Sequence, residues 1–213
     1  MLKWRDQLAS VGVRQERLRM TLVTLIEPAD AHPSVREALD AATRQYGQAL
    51  HTWRALLHRP EIFGPYLPYL RAVAGPGEVP QRTKELSALA VAILNHCRYT
   101  TSHRYRAAQA AGVTDAEAEA LAADRLDRFA PQERLAVEYA RQLTRNPPLV
   151  RAAENPQAVD PQLLAELRAT FSEPQLVELT ANIALWNALA RFHRVMDFPL
   201  DMPAPPPAVD QAL

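Results

Sequence analysis

The sequence has little of several residue types, and each shortage excludes a class of protein. Its 213 residues include a single cysteine, so no disulfide framework can form within the chain, as is usual in a reducing cytoplasm. Basic and acidic residues number 24 each, which leaves no net charge to attract nucleic acid or an anionic membrane. No run approaches the roughly 20 apolar residues of a membrane-spanning helix, and no secretory signal opens the chain. We therefore expect a cytoplasmic protein that binds neither nucleic acid nor a membrane.

Signals for β structure are also missing. Glycine is scarce, at 6 residues, and the 18 prolines mostly separate helical patterns rather than interrupt them. No segment alternates apolar and polar residues for long enough to indicate a strand, and no Asn-Gly or Asp-Gly hairpin signal is present. These observations predict an all-α protein.

The most apolar helical segment spans residues 82–95, RTKELSALAVAILN. Leu86, Leu89 and Ile93 repeat at the spacing of one helix face, and the opposite face is nearly as apolar. A helix that is apolar almost all round is a buried one, so we predict a central helix here. A second helix is predicted to begin near the lone cysteine and to end at Gly112, a typical left-handed stop.

Helical patterns and proline-rich stretches divide the chain. Residues 34–201 are predicted to form one helical domain, preceded by a helical lead-in over residues 1–33. Residues 202–213, with the sequence PAPPP, are predicted to form an extended or disordered tail. Helix starts inside the domain are marked by N-cap signals at Thr114, Asp160 and Ser172.

The stretch LNHCRYTTSH, residues 94–103, holds most of the residues that can do chemistry. Cys97 lies between His96 and His103. Thr100 stands three residues after the cysteine, where a redox motif would carry a second cysteine. The question is therefore which chemistry one cysteine can perform without that partner.

The surrounding segment resembles the alkylhydroperoxidase D-like, or carboxymuconolactone decarboxylase, family. Glu85 and Cys97 stand twelve residues apart, as in the family pattern, and Tyr99 occupies the usual aromatic position. The flanking helical segments are similar as well, so the resemblance covers about residues 34–201. Further positions match in register without gaps, namely Arg106, Ala107, Ala108, Ala111, Gly112, Val113 and Thr114.

The resemblance implies an alkylhydroperoxidase D-like helical domain with buried central helices. It also implies a homo-oligomer, either a trimer or a hexamer built as a dimer of trimers, and no cofactor. In the complete family motif two cysteines cycle between dithiol and disulfide, while a glutamate and a histidine relay a proton. Family members without the cysteine pair include lactone decarboxylases, which are implied to use acid–base chemistry on a carboxylate lactone.

The sequence departs from the complete motif at two positions. Thr100 replaces the second cysteine, and Arg104 stands at the histidine position, seven residues after Cys97. At about 100° per residue, position i+7 returns to within about 20° of the Cys97 face, whereas i+6, occupied by His103, lies about 120° away. Thr100, Thr101 and Arg104 are therefore expected to share the face of the cysteine. The two-cysteine mechanism does not transfer, because threonine forms no disulfide and arginine is no general base.

The remaining residues still suit a reactive thiol. A cysteine at a helix N-terminus tends toward thiolate, and Arg98, Arg104 and His96 would add positive charge. We predict that Glu85 points toward Cys97 and, if burial keeps it protonated, donates a proton. The predicted catalytic residues are Cys97, Glu85, His96 and His103, and the predicted lining residues are Arg98, Tyr99, Thr100, Thr101 and Arg104.

Three functions fit this sequence. The first is a peroxidase-related antioxidant protein with peroxiredoxin-like activity, in which Cys97 alone reacts with a peroxide and an external thiol restores it. The second is a cofactor-free acid–base enzyme on a small carboxylate or lactone, in which Glu85 and a histidine react and Arg98 or Arg104 holds the carboxylate. The third is an inactive scaffold in which Cys97 is a small buried residue.

The histidines of the predicted helices give no metal-binding pattern. His51, His58 and His193 lie in separate helical segments, and none has a second histidine one helical turn away. The sequence therefore predicts no metal site, and we expect a small-molecule substrate.

Overall fold

A computed structural model describes residues 21–145 and 156–213. Every regular element in these two ranges is helical, which confirms the predicted all-α class. Short 3-10 turns lie at Pro28–Asp30 and Leu126–Arg128. The α-helices are α1 (Pro33–Tyr46), α2 (His51–Leu56), α3 (Pro60–Ala74), α4 (Gln81–Leu94), α5 (Arg98–Ala110), α6 (Asp115–Ala122), α7 (Pro131–Arg145), α8 (Pro161–Thr170), α9 (Glu173–Met196) and α10 (Pro207–Gln211).

Helix α4 lies at the centre of the fold, as its apolar sequence predicts. It packs against α5, α7 and α9, and its residues from Thr83 to Ile93 are buried on all sides. Leu86 and Leu89 are completely inaccessible to solvent. Burial of a Leu side chain contributes roughly 2 kcal/mol, so this helix anchors the domain. Helix α5 follows after a short turn and is held against α4 and α9.

A buried lysine fastens α4 to α9. Lys84 is only 1 % exposed and pairs with the carboxylate of Glu178. The same carboxylate accepts hydrogen bonds from the backbone N–H groups of Glu78 and Val79, at 2.8 and 3.1 Å. The Glu178 side chain thus fixes the loop that leads into α4 as well as the lysine.

The helix boundaries follow the local signals in the sequence. Thr114 and Ser172 form complete capping boxes, and Asp160 caps α8 through two backbone N–H groups. Gly112 takes the left-handed conformation, with φ of 86°, beyond the end of α5. One expectation differs, because α3 continues through Pro65 and Pro68 instead of breaking there.

The two ends of the chain differ from their predicted descriptions. Residues 1–20 of the predicted lead-in lie outside the described residues, and residues 21–33 contain only a 3-10 turn. The predicted disordered tail is instead packed. The last proline of the run, Pro207, opens the short helix α10, where its missing N–H costs nothing. Val209 is then completely buried in the core cluster that contains Leu86.

Candidate functional site

The cysteine lies at the turn between α4 and α5. His96 adopts a left-handed φ of 49°, which reverses the chain, and Cys97 is the N-cap residue of α5. The sulfur accepts a hydrogen bond from the backbone N–H of Thr100 at 3.5 Å. The first turn of α5 therefore presents its positive dipole end to the sulfur, as the sequence predicts.

Thr100, which replaces the second cysteine of the family motif, links the sulfur to an imidazole. Its hydroxyl donates to Cys97 Sγ at 3.0 Å and lies 2.9 Å from Nδ1 of His193, on α9. Thr100 is completely buried, and His193 is 5 % exposed. A single hydroxyl thus connects the thiol with a histidine that lies 93 residues further along the chain.

His193 is neutral at physiological pH. Burial lowers its pKa to about 3, with a further contribution from the positive charges of His103 and Arg104, while Asp201 opposes the shift. A hydroxyl carries one proton, so when Thr100 donates to the sulfur, Nδ1 of His193 must carry the proton that it shares with Thr100. The imidazole can therefore pass a proton along the chain but is a poor resting place for a positive charge.

The hydrogen-bonded chain continues beyond the imidazole. Nε2 of His193 lies 3.0 Å from the hydroxyl of Thr52, which in turn lies 3.3 Å from the phenol oxygen of Tyr99. The phenol donates to Asp201 Oδ2 at 2.7 Å. Burial, together with the Asp201 charge, raises the pKa of Tyr99, so the phenol stays protonated. We call Cys97, Thr100, His193, Thr52, Tyr99 and Asp201 the thiol network.

Asp201 closes the thiol network with a buried negative charge. Burial alone would raise its pKa, but hydrogen bonds from His103, from the backbone N–H of His51 and from Tyr99 outweigh burial and lower it. The distances are 2.6 Å to Nε2 of His103 and 2.7 Å to the N–H of His51. The carboxylate therefore stays charged and orders the side chains around it.

A cavity of about 350 Å³ opens beside the sulfur. Cys97, 2 % exposed, and His193 line it together with the exposed His96. Arg98 also lines this thiol cavity, but its guanidinium is held by Asp210 at 2.7 and 2.9 Å. The positive charge predicted beside the thiol is thus largely offset by a carboxylate from the C-terminal segment.

Glu85 and Arg104 belong to a different cavity. Arg104 donates to Glu85 at 3.0 Å, and Gln81 donates to the other oxygen of the same carboxylate at 2.9 Å. This arginine cavity, of about 590 Å³, is lined by Glu85 and Arg104 but not by Cys97. The prediction that Glu85 faces the thiol does not describe these contacts, because Arg104 at the histidine position draws the carboxylate to itself.

The helix geometry expected of α5 therefore holds for some residues and not for others. Thr100 lies on the thiol face, and Arg104, one turn further, reaches Glu85. His103 points elsewhere, to Asp201. Thr101 is completely buried, but its hydroxyl has no hydrogen-bond partner.

Three members of the thiol network were not predicted from the sequence. His193, Thr52 and Asp201 come from parts of the chain with no recognisable motif. The residues FHRVMDFPLD, 192–201, supply two of them, and only their position in a helix similar to the family's closing helix hinted at a role. In the described ranges, no three His, Cys, Asp or Glu side chains are grouped so as to hold a metal ion. No described helix has both the length and the apolarity to cross a bilayer.

Comparison with known proteins places this geometry in a family. Residues 60–142 match the model of the carboxymuconolactone decarboxylase family. The uncharacterized protein YnjA of Escherichia coli K12 is 42 % identical over 71 residues, which are 33 % of this chain and 34 % of YnjA. The chain thus matches about a third of the length of that relative. The resemblance seen in the sequence is confirmed.

Solved structures confirm the fold over more of the chain. A peroxidase-related protein from Ralstonia eutropha JMP134, with an alkylhydroperoxidase AhpD core, superposes with a TM-score of 0.72 at 16 % identity, covering 85 % of this chain and 93 % of its own. The debrominase Bmp8, in complex with 2,3,4-tribromopyrrole, gives 0.69 at 19 % identity, covering 91 % and 98 %. At these identities the likeness shows the alkylhydroperoxidase D-like fold alone.

Proposed function

We propose that this chain, a member of the carboxymuconolactone decarboxylase family over residues 60–142, is a one-cysteine thiol peroxidase. The observation that carries the proposal is the hydrogen-bonded chain from Cys97 Sγ through Thr100 to His193, beside a cavity that can admit a small peroxide. Thr100 and His193 thereby replace the second cysteine and the histidine of the complete motif.

The thiol network supplies a route for the proton of the thiol. As the sulfur attacks, its proton passes to the Thr100 oxygen, and the Thr100 proton passes to Nδ1 of His193. Because burial keeps His193 neutral at rest, the transfer is coupled to bond formation and returns to the leaving oxygen rather than producing a stable ion pair. Thr52, by its contact with Nε2, fixes the orientation of the ring.

The reaction with an organic hydroperoxide balances as follows. A bond forms between the sulfur and one peroxide oxygen, the O–O bond breaks, and the alkoxide takes the thiol proton and leaves as an alcohol. Cys97 is oxidised to a sulfenic acid. An external thiol then displaces water to give a mixed disulfide, and a second thiol releases a disulfide and restores Cys97. A reducing cytoplasm would supply such thiols.

The acid–base alternative is less well supported by the contacts of Glu85. A general base must be free to accept a proton, whereas Glu85 is only 7 % exposed and is joined to Arg104 and Gln81. No histidine of the described residues lines the arginine cavity. His96 and His103, the predicted partners, lie at the thiol cavity and at Asp201. A reacting pair of Glu85 and a histidine is therefore not assembled.

Peroxide consumption tests the proposal. Purified protein with excess dithiothreitol is expected to reduce cumene hydroperoxide, and dimedone is expected to trap the sulfenic acid on Cys97. Cys97→Ser should lose both signals, and His193→Gln should slow the reaction at least tenfold. His58→Gln, which alters an exposed histidine that contacts the Thr24 carbonyl, is the matched control and should leave the rate unchanged. A wild-type rate equal to that of Cys97→Ser would refute the proposal.

The trimer or hexamer implied by the family remains a prediction. Tyr69 and Val177 are 54 % and 70 % exposed and line one apolar surface depression between α3 and α9, which supports a contact between copies of the chain. Light scattering at micromolar concentration should give the mass of at least three chains, and a monomer would contradict this expectation.

A further inference from the structure

We infer that the arginine cavity is a binding site for a planar organic monocarboxylate, distinct from the thiol cavity. This inference does not depend on the peroxidase proposal. The cavity lies where α1, α3, α4, α5 and α9 converge, so its walls belong to the rigid part of the fold. Its volume of about 590 Å³ falls within the usual range for small-molecule sites.

The apolar walls suit a flat ligand. Trp53 and Trp186, respectively 1 % and 4 % exposed, form part of the floor, and Tyr46 at the mouth packs edge-on against Trp53 at 5.2 Å. Leu67 and Leu70 complete the apolar side. Aromatic rings at this spacing favour another flat, unsaturated group over a branched aliphatic one.

The charges favour an anion. Arg71 and Arg104 line the cavity together with one carboxylate, Glu85, so the formal charge of the lining is positive by one unit. Arg71 lies at the exposed mouth, while Arg104 is only 12 % exposed. A ligand with a single negative charge would neutralise the lining.

Arg104 keeps donor capacity in reserve. Its guanidinium stacks on the Trp186 ring, 3.7 Å from the ring centroid, and only Nη1 is engaged by Glu85. Nε, on the other edge of the fork, is buried without a hydrogen-bond partner, and so is the amide oxygen of Gln81. Buried polar groups are normally paired, so this floor is incompletely satisfied by the protein itself. A small rotation of Arg104 would offer the Nε edge to a carboxylate, which guanidinium groups bind in a bidentate manner.

Calorimetric titration with a matched pair of probes tests the site. 2-Naphthoate is expected to bind at least tenfold more tightly than its neutral isostere, 2-naphthamide. Arg71→Gln should weaken naphthoate binding severalfold, and Arg168→Gln, an exposed arginine of α8 outside the cavity, should leave it unchanged.

The deeper arginine needs a variant that does not strand a buried charge. Glu85→Gln combined with Arg104→Gln removes both charges together and should abolish the preference for naphthoate over naphthamide. Cys97→Ser should bind naphthoate like the wild type, so the outcome is independent of any thiol chemistry. Equal affinity of the two probes for the wild-type chain, or an undiminished preference in the double variant, would overturn the inference, as would the absence of binding.

Discussion

Helix α5 serves two neighbouring regions that are built on opposite electrostatic plans. Thr100 belongs to the thiol network, where neutral hydroxyls and an uncharged imidazole separate the sulfur from the nearest buried charge, on Asp201. Arg104, one turn later, belongs to the arginine cavity, where a guanidinium and a carboxylate meet directly at 3.0 Å. The first arrangement can move a proton in either direction, whereas the second holds fixed charges.

The difference shows how one substitution can divide a site. In the complete family motif, as the resemblance implies, a glutamate, a cysteine and a histidine act together. With arginine at position 104, Glu85 gains a permanent partner and is withdrawn from proton transfer. The imidazole that contacts the thiol side comes instead from α9, as His193. Each prediction below perturbs one of the two regions and asks whether the other responds.

The largest expected effect is the loss of stability in acid caused by His193. Its pKa lies near 6.5 in the unfolded chain and falls to about 3 in the folded protein, so the unfolded chain binds the extra proton between these values. Stability should be complete above pH 6.5 and should decline by several kcal/mol as the pH approaches 3. Urea denaturation at a series of pH values measures this decline.

The slope identifies the residue responsible. Asp201 also has a lowered pKa, but its contribution is lost only below its ordinary value of 3.8. Between pH 6.5 and 5, His193→Gln should therefore show a flatter dependence than the wild type, even if it is less stable throughout. Parallel slopes for the two proteins would contradict a neutral buried His193.

The next effect concerns the ion pair of the other region. Arg104→Gln leaves the Glu85 carboxylate buried without its partner, and we expect a loss of about 3 kcal/mol in the free energy of unfolding. Arg98→Gln breaks a pair whose arginine is 50 % exposed, and should cost less than about 1 kcal/mol. Denaturant unfolding of both variants at pH 7 provides the comparison, and equal losses would mean that the buried pair has no special weight.

A smaller effect is expected from the hydroxyl that joins the sulfur to His193. Thr100→Val removes it, and the reaction of Cys97 with peroxide should slow about tenfold, equivalent to about 1.4 kcal/mol in the barrier. Thr101→Val is the matched control, since that buried hydroxyl has no partner, and its loss should be neutral or slightly stabilising. If both variants slow the reaction alike, general packing rather than the hydrogen bond governs the thiol.

The smallest effect is expected at the C-terminal segment. Asp210 and Leu213 line the thiol cavity, and Asp210 holds Arg98. Asp210→Asn weakens this contact, so alkylation of Cys97 by iodoacetamide should accelerate a few-fold. Asp127→Asn, at an exposed turn away from the cavity, should alkylate at the wild-type rate. Slower alkylation of Asp210→Asn would show that the segment does not restrict access.

Much of the fold could be predicted because its signals are local. The apolar pattern of α4 and the capping residues Thr114, Asp160 and Ser172 each act within one or two helical turns. The tail was misjudged because its composition dominated the prediction. A single apolar residue, Val209, suffices to bring it back to the core when the prolines preceding it cost little entropy to order.

The candidate site could be predicted only in part, since its contacts are not local. The positions of Thr100 and Arg104 on one face of α5 follow from helix geometry alone. The choice of partners does not, because the contact of Arg104 with Glu85 and that of His103 with Asp201 depend on how α4 and residues 197–201 pack against α5. A histidine 93 residues beyond Thr100 carries no mark in the sequence that would assign it to the thiol.

The wide separation of these residues along the chain also determines when the site comes into existence. Asp201 contacts His51 across 150 residues, and Thr52 contacts His193 across 141. Contacts that close such long loops form late in folding, after the helices themselves. During synthesis Cys97 emerges well before α9, so the newly made thiol stays exposed and unassisted until the closing helix docks. Its burial is therefore a record of completed assembly, and a chain truncated before α9 would carry the same cysteine with none of its environment.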